Sequence, residues 1–210
     1  MRLFKLSAII QHFKDMRGYI GFAAVLFFAG IVVGGTNEGF HSFLESQLAG
    51  LGQLVEAVDK SSNPTLMMMV VIFLNNAIKS ILVMYLGAFF GILPLMFLAI
   101  NGMVIGFVLK VTAESPNALP VWELVVKGLL PHGIIEIPAI IIACAYGMKF
   151  GTLVFRATGN LLFVRSNLPL IGREIEHFAI RTVPMMVILT VGLLAASIIE
   201  STITVWLLKS

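Results

Sequence analysis

Residues 66–109 read LMMMVVIFLNNAIKSILVMYLGAFFGILPLMFLAINGMVIGFVL, and this stretch decides the class of the protein. It contains one charged side chain, Lys79. The run is long enough for two successive helices, since a bilayer crossing takes about 20 apolar residues. A backbone in hydrocarbon must satisfy its own hydrogen bonds, and apolar runs of this length fit helices better than barrel strands. The stretch therefore predicts two membrane-spanning helices.

The whole chain has the composition of a membrane protein. Apolar residues make up 59% and charged residues 12%, against roughly 25% charged in a soluble domain. We predict an all-α fold, with residues 1–210 as a single membrane domain built as a polytopic bundle of about five spans. The predicted spans cover residues 19–35, 66–90, 92–109, 133–150 and 183–208. Pro131 and Gly133 predict a broken helix at residues 130–136, where the fourth span begins.

Basic residues predict the orientation in the cell membrane. Two groups, one before the first span and one after the fourth, comprise Arg2, Lys5, Lys14, Arg17, Lys149, Arg156, Arg165, Arg173 and Arg181. An odd number of spans places both groups on one side, and cytoplasmic segments are enriched in lysine and arginine. We therefore predict the N-terminus and residues 151–182 in the cytoplasm, and residues 36–65 and the C-terminus outside.

Two segments outside the spans are amphipathic. Residues 1–16 predict a helix on the inner leaflet, with apolar residues on one stripe and basic residues elsewhere. Phe40–Val58 repeats the pattern outside, with a stripe of Phe40, Phe43, Leu44, Leu48, Leu51 and Val55. Each stripe either packs at the membrane interface or offers a face to a partner protein. His12, His41 and His177 are predicted to be solvated.

Glycines at four-residue spacing predict close helix packing. The pairs are Gly30/Gly34, Gly87/Gly91, Gly102/Gly106 and Gly147/Gly151. Small residues at this spacing let two backbones approach one another in a membrane. The pattern favours packing within the chain and leaves a homodimer through one of these faces as the alternative.

Polar residues inside the predicted spans are the candidates for function. The second span holds Asn75, Asn76 and Lys79, and the third holds Asn101. A lysine near mid-bilayer costs at least about 2.5–3.5 kcal/mol unless it is paired or hydrated. We therefore expect Lys79 to face protein or water.

A second polar group lies in the fourth and fifth spans. If the fourth helix resumes at His132, then His132 and Glu136 share one face, and Glu200 is the expected third member. An imidazole and two carboxylates are ligands for a zinc-like divalent ion. The residues leave three interpretations open: a structural network in which Lys79 neutralises a carboxylate, a cation or proton pathway, and a bound metal.

Enzyme and nucleic-acid patterns are absent from the sequence. It contains no H-E-x-x-H metalloprotease motif, no P-loop and no dinucleotide fingerprint. It also lacks a G-x-S-x-G nucleophile elbow. The scattered arginines are explained by membrane topology. We predict a non-catalytic protein that does not bind nucleic acid.

Five motifs in order resemble the stage II sporulation protein M family. They are N-N-x-x-K (75–79), G-x-x-x-G-I-L-P (87–94), N-G-x-x-x-G (101–106), L-P-H-G-I-I-E-I-P-A (130–139) and E-x-x-x-T (200–204). The resemblance implies five spans and a non-catalytic membrane component. Its name-giving member works with two cell-wall hydrolases during engulfment and localises them at the septal membrane. The resemblance thus favours a membrane scaffold for partner proteins such as cell-wall hydrolases, with metal-cation binding or transport as the alternative.

Overall fold

The computed structural model describes residues 5–116, 118–163 and 168–209, without the side chains of residues 51, 53–55 and 57. Arg2 and Arg165, used above for the orientation, lie outside this description. The described chain is helical without strands, which confirms the predicted fold class. Its helices are α1 (Leu6–Asp15), α2 (Arg17–Thr36), α3 (His41–Asp59), α4 (Pro64–Leu86), α5 (Ile92–Glu114), α6 (Val121–Phe163) and α7 (Leu168–Lys209), with a short 3₁₀ turn at Glu38–Phe40.

Five of these helices, α2 and α4–α7, are long and apolar enough to cross a membrane. They contain the five predicted spans, apart from the end of the second. α4 begins at an N-cap, where Asn63 Oδ1 accepts from the Leu66 N–H at 3.1 Å, and Pro64 occupies the first turn. It ends at Leu86, because residues 87–91 form a tight turn into α5 in which Gly91 has a φ of 78°. Glycine adopts this left-handed conformation without steric cost.

The helix break predicted at residues 130–136 is wrong. α6 is α-helical over Leu130–Phe163, and its irregular part comes directly before, as a π-helical turn at Leu124–Leu129. Proline has no N–H to donate and its ring crowds the preceding turn. The wider π-helical turn ends at Leu129, two residues before Pro131, and so allows the helix to continue. A second π-helical turn, Glu200–Thr204, interrupts α7.

The described residues of the predicted cytoplasmic segment, 151–163 and 168–182, prolong two spans as helices. The end of α6 and the beginning of α7 run side by side, with an ion pair of 2.8 Å between Arg156 Nη1 and Glu174 Oε2. At the same end, the Tyr19 hydroxyl lies 2.9 Å from Thr152 Oγ1. Because Tyr19 begins the first span, residues 5–16, 151–163 and 168–182 lie at one end of the bundle. The assignment of this end to the cytoplasm stays a prediction.

The four glycine pairs bring helices into contact within this chain. A Cβ atom added at Gly34 would overlap the backbone of α5, and one added at Gly106 would overlap that of α2. Likewise, Gly87 lies against the backbone of Gly147 on α6, and Gly151 lies against Gly91. The faces therefore pack inside the chain, as favoured above. A homodimer would have to use a different surface.

The second amphipathic segment, predicted to lie outside, forms α3, which packs against α5. Leu44 is fully buried and clusters with Met103 and Phe107. Phe40 and Phe43, from the same predicted stripe, remain 41% exposed each. The side chains of Leu51 and Val55 lie outside the described ones. One part of the stripe thus joins the bundle, and the other is left on the surface.

Candidate functional site

The candidate site lies between α4, α6 and α7, deep in the membrane-spanning part of the bundle. α4 contributes Asn75 and Asn76, α6 contributes His132 and Glu136, and α7 contributes Glu200. Asn76 lies about 18 Å along α4 from Pro64 and about 15 Å from Leu86, at 1.5 Å per residue. Both distances place it near the middle of a hydrocarbon layer about 30 Å thick.

Three of the predicted residues form a compact ligand set. His132, Glu136 and Glu200 each direct one ligating atom to a common place, and these atoms lie within 4.8 Å of one another. All three side chains are half-buried. His132 and Glu136 share a face because α6 is a regular helix from Leu130 onward, so residues four apart are neighbours. Residues from distant parts of the sequence therefore meet at one point.

Hydrogen bonds to neighbouring residues position the ligand set. The Asn76 side-chain amide donates to Glu136 Oε1 at 2.9 Å, and its own Oδ1 accepts from Asn75 Nδ2 at 3.3 Å. On the other side, His132 Nδ1 lies 3.4 Å from Thr204 Oγ1. A ring engaged through Nδ1 has Nε2 left for an ion, an arrangement common among metal-binding histidines.

The π-helical turn of α7 supplies both Glu200 and Thr204. Such turns are rare, and they occur frequently at functional sites. Here one wide turn presents a carboxylate and a hydroxyl toward α6. Thr204 is a site residue that was not predicted from the sequence, although its four-residue spacing from Glu200 places both on one helical face.

Lys79 does not belong to this cluster. Its side chain is exposed, and the ion pairs among the described residues do not include it. On α4, Ile78 and Leu82 are exposed beside it, so Lys79 lies on the outer surface of the bundle. The ion pair considered for Lys79 with Glu136 or Glu200 is therefore not formed.

Asn101 has a local partner instead of a contact with the ligand set. Its side-chain amide donates to the Phe97 carbonyl of the same helix at 2.7 Å. That bond satisfies a polar group inside an apolar helix. Of the seven residues predicted for the polar site, the structure thus brings five together: Asn75, Asn76, His132, Glu136 and Glu200.

The ligand set carries two carboxylates without a basic side chain in contact. No lysine or arginine within residues 5–116, 118–163 or 168–209 forms an ion pair with Glu136 or Glu200. Two carboxylates sharing a half-buried site repel one another unless a proton or a cation compensates them. Chemically, the arrangement is suited to holding a positive ion.

Comparison with known proteins assigns the chain to a family. The profile of the family described as stage II sporulation protein M matches residues 20–205. The chain belongs to this family. The matched range contains all five sequence motifs and every member of the ligand set, so the site is formed by the part of the chain that the stage II sporulation protein M family shares.

One curated protein is also similar to this chain. An uncharacterised protein of Methanocaldococcus jannaschii is 29% identical to this chain over 127 residues. The match covers 60% of this stage II sporulation protein M family member and 52% of the relative, so the chain spans about half of that protein's length. No solved structure matches the chain.

Proposed function

We propose that this membrane protein binds a divalent metal cation between α4, α6 and α7. The observation that carries the proposal is the convergence of His132, Glu136 and Glu200, whose ligating atoms lie within 4.8 Å of one another. One nitrogen and two carboxylate oxygens suit zinc, and they also suit manganese, which prefers oxygen ligands. Three protein ligands leave a coordination position for water or for an exchanging group.

The neighbouring hydrogen bonds support a metal site better than a structural network. A structural network would be expected to bring a basic side chain to the two carboxylates, and the lysine considered for that role, Lys79, is exposed. Asn76 donates a neutral amide hydrogen to Glu136, which orients the carboxylate without neutralising it. The remaining negative charge favours a bound cation.

Metal content and binding test the proposal. Purified wild-type protein should retain zinc or manganese in elemental analysis and bind it again, after chelation, in calorimetric titration. His132→Gln and Glu136→Gln should weaken binding by more than about 10–100-fold, since loss of an outer-shell partner alone has an effect of that size. Glu123→Gln is the matched control, because Glu123 pairs with Lys127 at 2.6 Å outside the ligand set.

Two results would contradict metal binding. One is a wild-type protein that neither contains nor rebinds zinc or manganese. The other is equal binding by wild type, Glu136→Gln and Glu123→Gln. If binding is confirmed, uptake of the same metal into proteoliposomes distinguishes transport from binding alone, with Glu136→Gln as the inactive control.

A membrane scaffold for partner proteins such as cell-wall hydrolases is the second candidate function. Family membership supports it, and so does the exposed Lys79. At about 10 Å from the end of α4, its ammonium group lies beside apolar surface, where an unpaired charge is costly. Among the described residues, the carboxylates at similar depth are Glu136 and Glu200, both turned to the interior. A partner helix with its own carboxylate would neutralise Lys79.

Photo-crosslinking from position 79 in cells tests the scaffold. A crosslinking residue at position 79 should give adducts with membrane-associated cell-wall hydrolases, identified by mass spectrometry. The same residue at position 188, where Ile188 is 46% exposed on α7, serves as the control. Adducts with lipid alone at both positions would count against a scaffold that uses this face.

A further inference from the structure

A second polar region lies away from the proposed metal site, where α1 packs against α7. A cavity of about 250 Å³ lies between these helices. It is smaller than the roughly 300–1,000 Å³ of pockets that take drug-sized ligands, so it suits a group of few atoms. Its polar lining consists of His12 on α1 and of His177 and Arg181 on α7.

His12 was predicted to be solvated, and that prediction is wrong. The side chain is 7% exposed, and its ring packs edge-on against Tyr146 with ring centroids 5.3 Å apart. It also lies 5.9 Å from the ring of Phe178. His12 Nε2 and the Tyr146 hydroxyl are buried without a hydrogen-bond partner in the described part of the chain. Such groups are rare in native proteins and call for a specific explanation.

The lining of the cavity is electropositive. Arg181 forms no ion pair with the described residues, and no carboxylate lines the cavity. Asp15 of α1 is close enough to influence His12, but it accepts a hydrogen bond of 2.9 Å from Gln11. Burial lowers the pKa of His12, and the nearby Arg181 charge lowers it further. No carboxylate of the cavity lining therefore compensates the positive charge of Arg181, and this charge acts on His12.

We propose that this cavity binds a phosphate group. The Arg181 guanidinium would pair with two phosphate oxygens, the fork geometry for which arginine is suited, while imidazole N–H groups of His177 and His12 would supply further donors. The rest of the lining is apolar: Ala8, Ile9, Pro184 and Met185. An apolar lining beside a phosphate site matches the headgroup and glycerol region of an anionic lipid, and a soluble phosphate shares the same charged chemistry.

The position in the bundle agrees with a lipid as the source of this phosphate. The cavity lies at the end where α1 and the segment 151–182 meet, which the basic residues assign to the cytoplasmic side. The inner leaflet is rich in anionic lipids, and basic segments near it are attracted to their headgroups. Phosphate binding there would hold α1 against α7 and would not depend on the metal site.

The test uses the full chain purified in detergent, with two probes. Native mass spectrometry measures retention of phosphatidylglycerol against phosphatidylcholine, and calorimetry measures binding of inorganic phosphate. At least one probe should bind the wild type, and Arg181→Gln should weaken that binding about tenfold or more, because a charge-assisted pair is lost. Arg173→Gln, at an exposed position of α7 outside the cavity lining, should change it less than about twofold.

A second variant covers the case in which Arg181→Gln does not fold. His177 is exposed, so His177→Gln should leave the fold intact and weaken binding, because it removes the imidazole from the cavity lining. Retention of phosphatidylglycerol without binding of inorganic phosphate identifies a lipid site, and binding of both identifies a site for the phosphate group itself. Absence of binding to both probes, or equal weakening by Arg181→Gln and Arg173→Gln, would overturn the proposal.

Discussion

Replacement of Glu200 by glutamine separates a cation site from a structural network by the sign of its effect on stability. Glutamine keeps the size and hydrogen-bonding capacity of glutamate but removes its charge. In a structural network, that loss destabilises the protein. In a cation site studied without its ion, it removes the repulsion between Glu136 and Glu200 and leaves the fold equally stable or more stable.

The distance between the carboxylates gives the size of the expected difference in stability between Glu200→Gln and the wild type. Two ionised oxygens separated by 4.8 Å, the upper limit for the atoms of this ligand set, repel one another by about 3.5 kcal/mol at an effective dielectric constant of about 20. A proton shared by the pair relieves that repulsion. We therefore expect metal-free Glu200→Gln to match the wild type or exceed its stability by up to about 3.5 kcal/mol. With metal at 100 times its Kd, the wild type gains about 2.7 kcal/mol and the variant should gain little.

Thermal unfolding in detergent, first with a chelator and then with excess zinc or manganese, measures both effects. Glu174→Gln is the matched control: it makes the same change on α7 and breaks the surface pair with Arg156, which is worth about 0–1 kcal/mol. It should keep the metal-dependent rise in Tm. A cation site is contradicted if metal-free Glu200→Gln loses more than about 1 kcal/mol relative to this control, or if metal raises the Tm of both variants equally.

Four further predictions follow from other contacts. Thr204→Val, which removes the hydroxyl beside His132 Nδ1, should weaken metal binding by roughly 10–100-fold in calorimetry, and an unchanged affinity would exclude that positioning role. Gly147→Ala should lower the free energy of unfolding by about 1–3 kcal/mol, because a Cβ there meets the Val83 carbonyl and the Pro94 ring, whereas Gly159→Ala, with open space around it, should not. Burial, Arg181 and His177 lower the pKa of His12 against the opposing effect of Asp15. The packing of α1 on α7 should therefore be most stable above about pH 6.5 and less stable as the pH falls below it. Hydrogen exchange in α1 should then speed up at low pH in the wild type and not in His12→Phe. Single cysteines at Ser46 and Glu176 in a Cys144→Ala background should react with impermeant reagents from opposite sides of the membrane, and labelling from one side would overturn the predicted topology.

Hydropathy determined most of the fold, because each span is a local property of the chain. A helix in lipid satisfies its backbone hydrogen bonds within its own segment, so an apolar run of sufficient length is enough to predict it. The predicted spans, including residues 19–35 and 92–109, all coincide with long helices of the structure. The ends were harder to predict, since α6 and α7 continue as helices well beyond the apolar runs.

Proline at position 131 shows where the local argument failed. The missing N–H predicted a break at residues 130–136, yet the preceding residues Leu124–Leu129 widen into a π-helical turn and the helix continues. Packing on neighbouring helices decides between a break and a wider turn, and that packing is not encoded in the spacing of residues around the proline.

The sequence by itself determined the membrane class, the five spans and the choice of His132, Glu136 and Glu200 as candidate ligands. Only the tertiary structure decided which polar residues meet. The rotation of α4 about its axis turns Asn76 toward Glu136 and leaves Lys79 outside, and the packing of α1 on α7 buries His12. Hydropathy depends on composition along one helix, whereas rotation and docking depend on how glycine faces and side chains of different helices fit together.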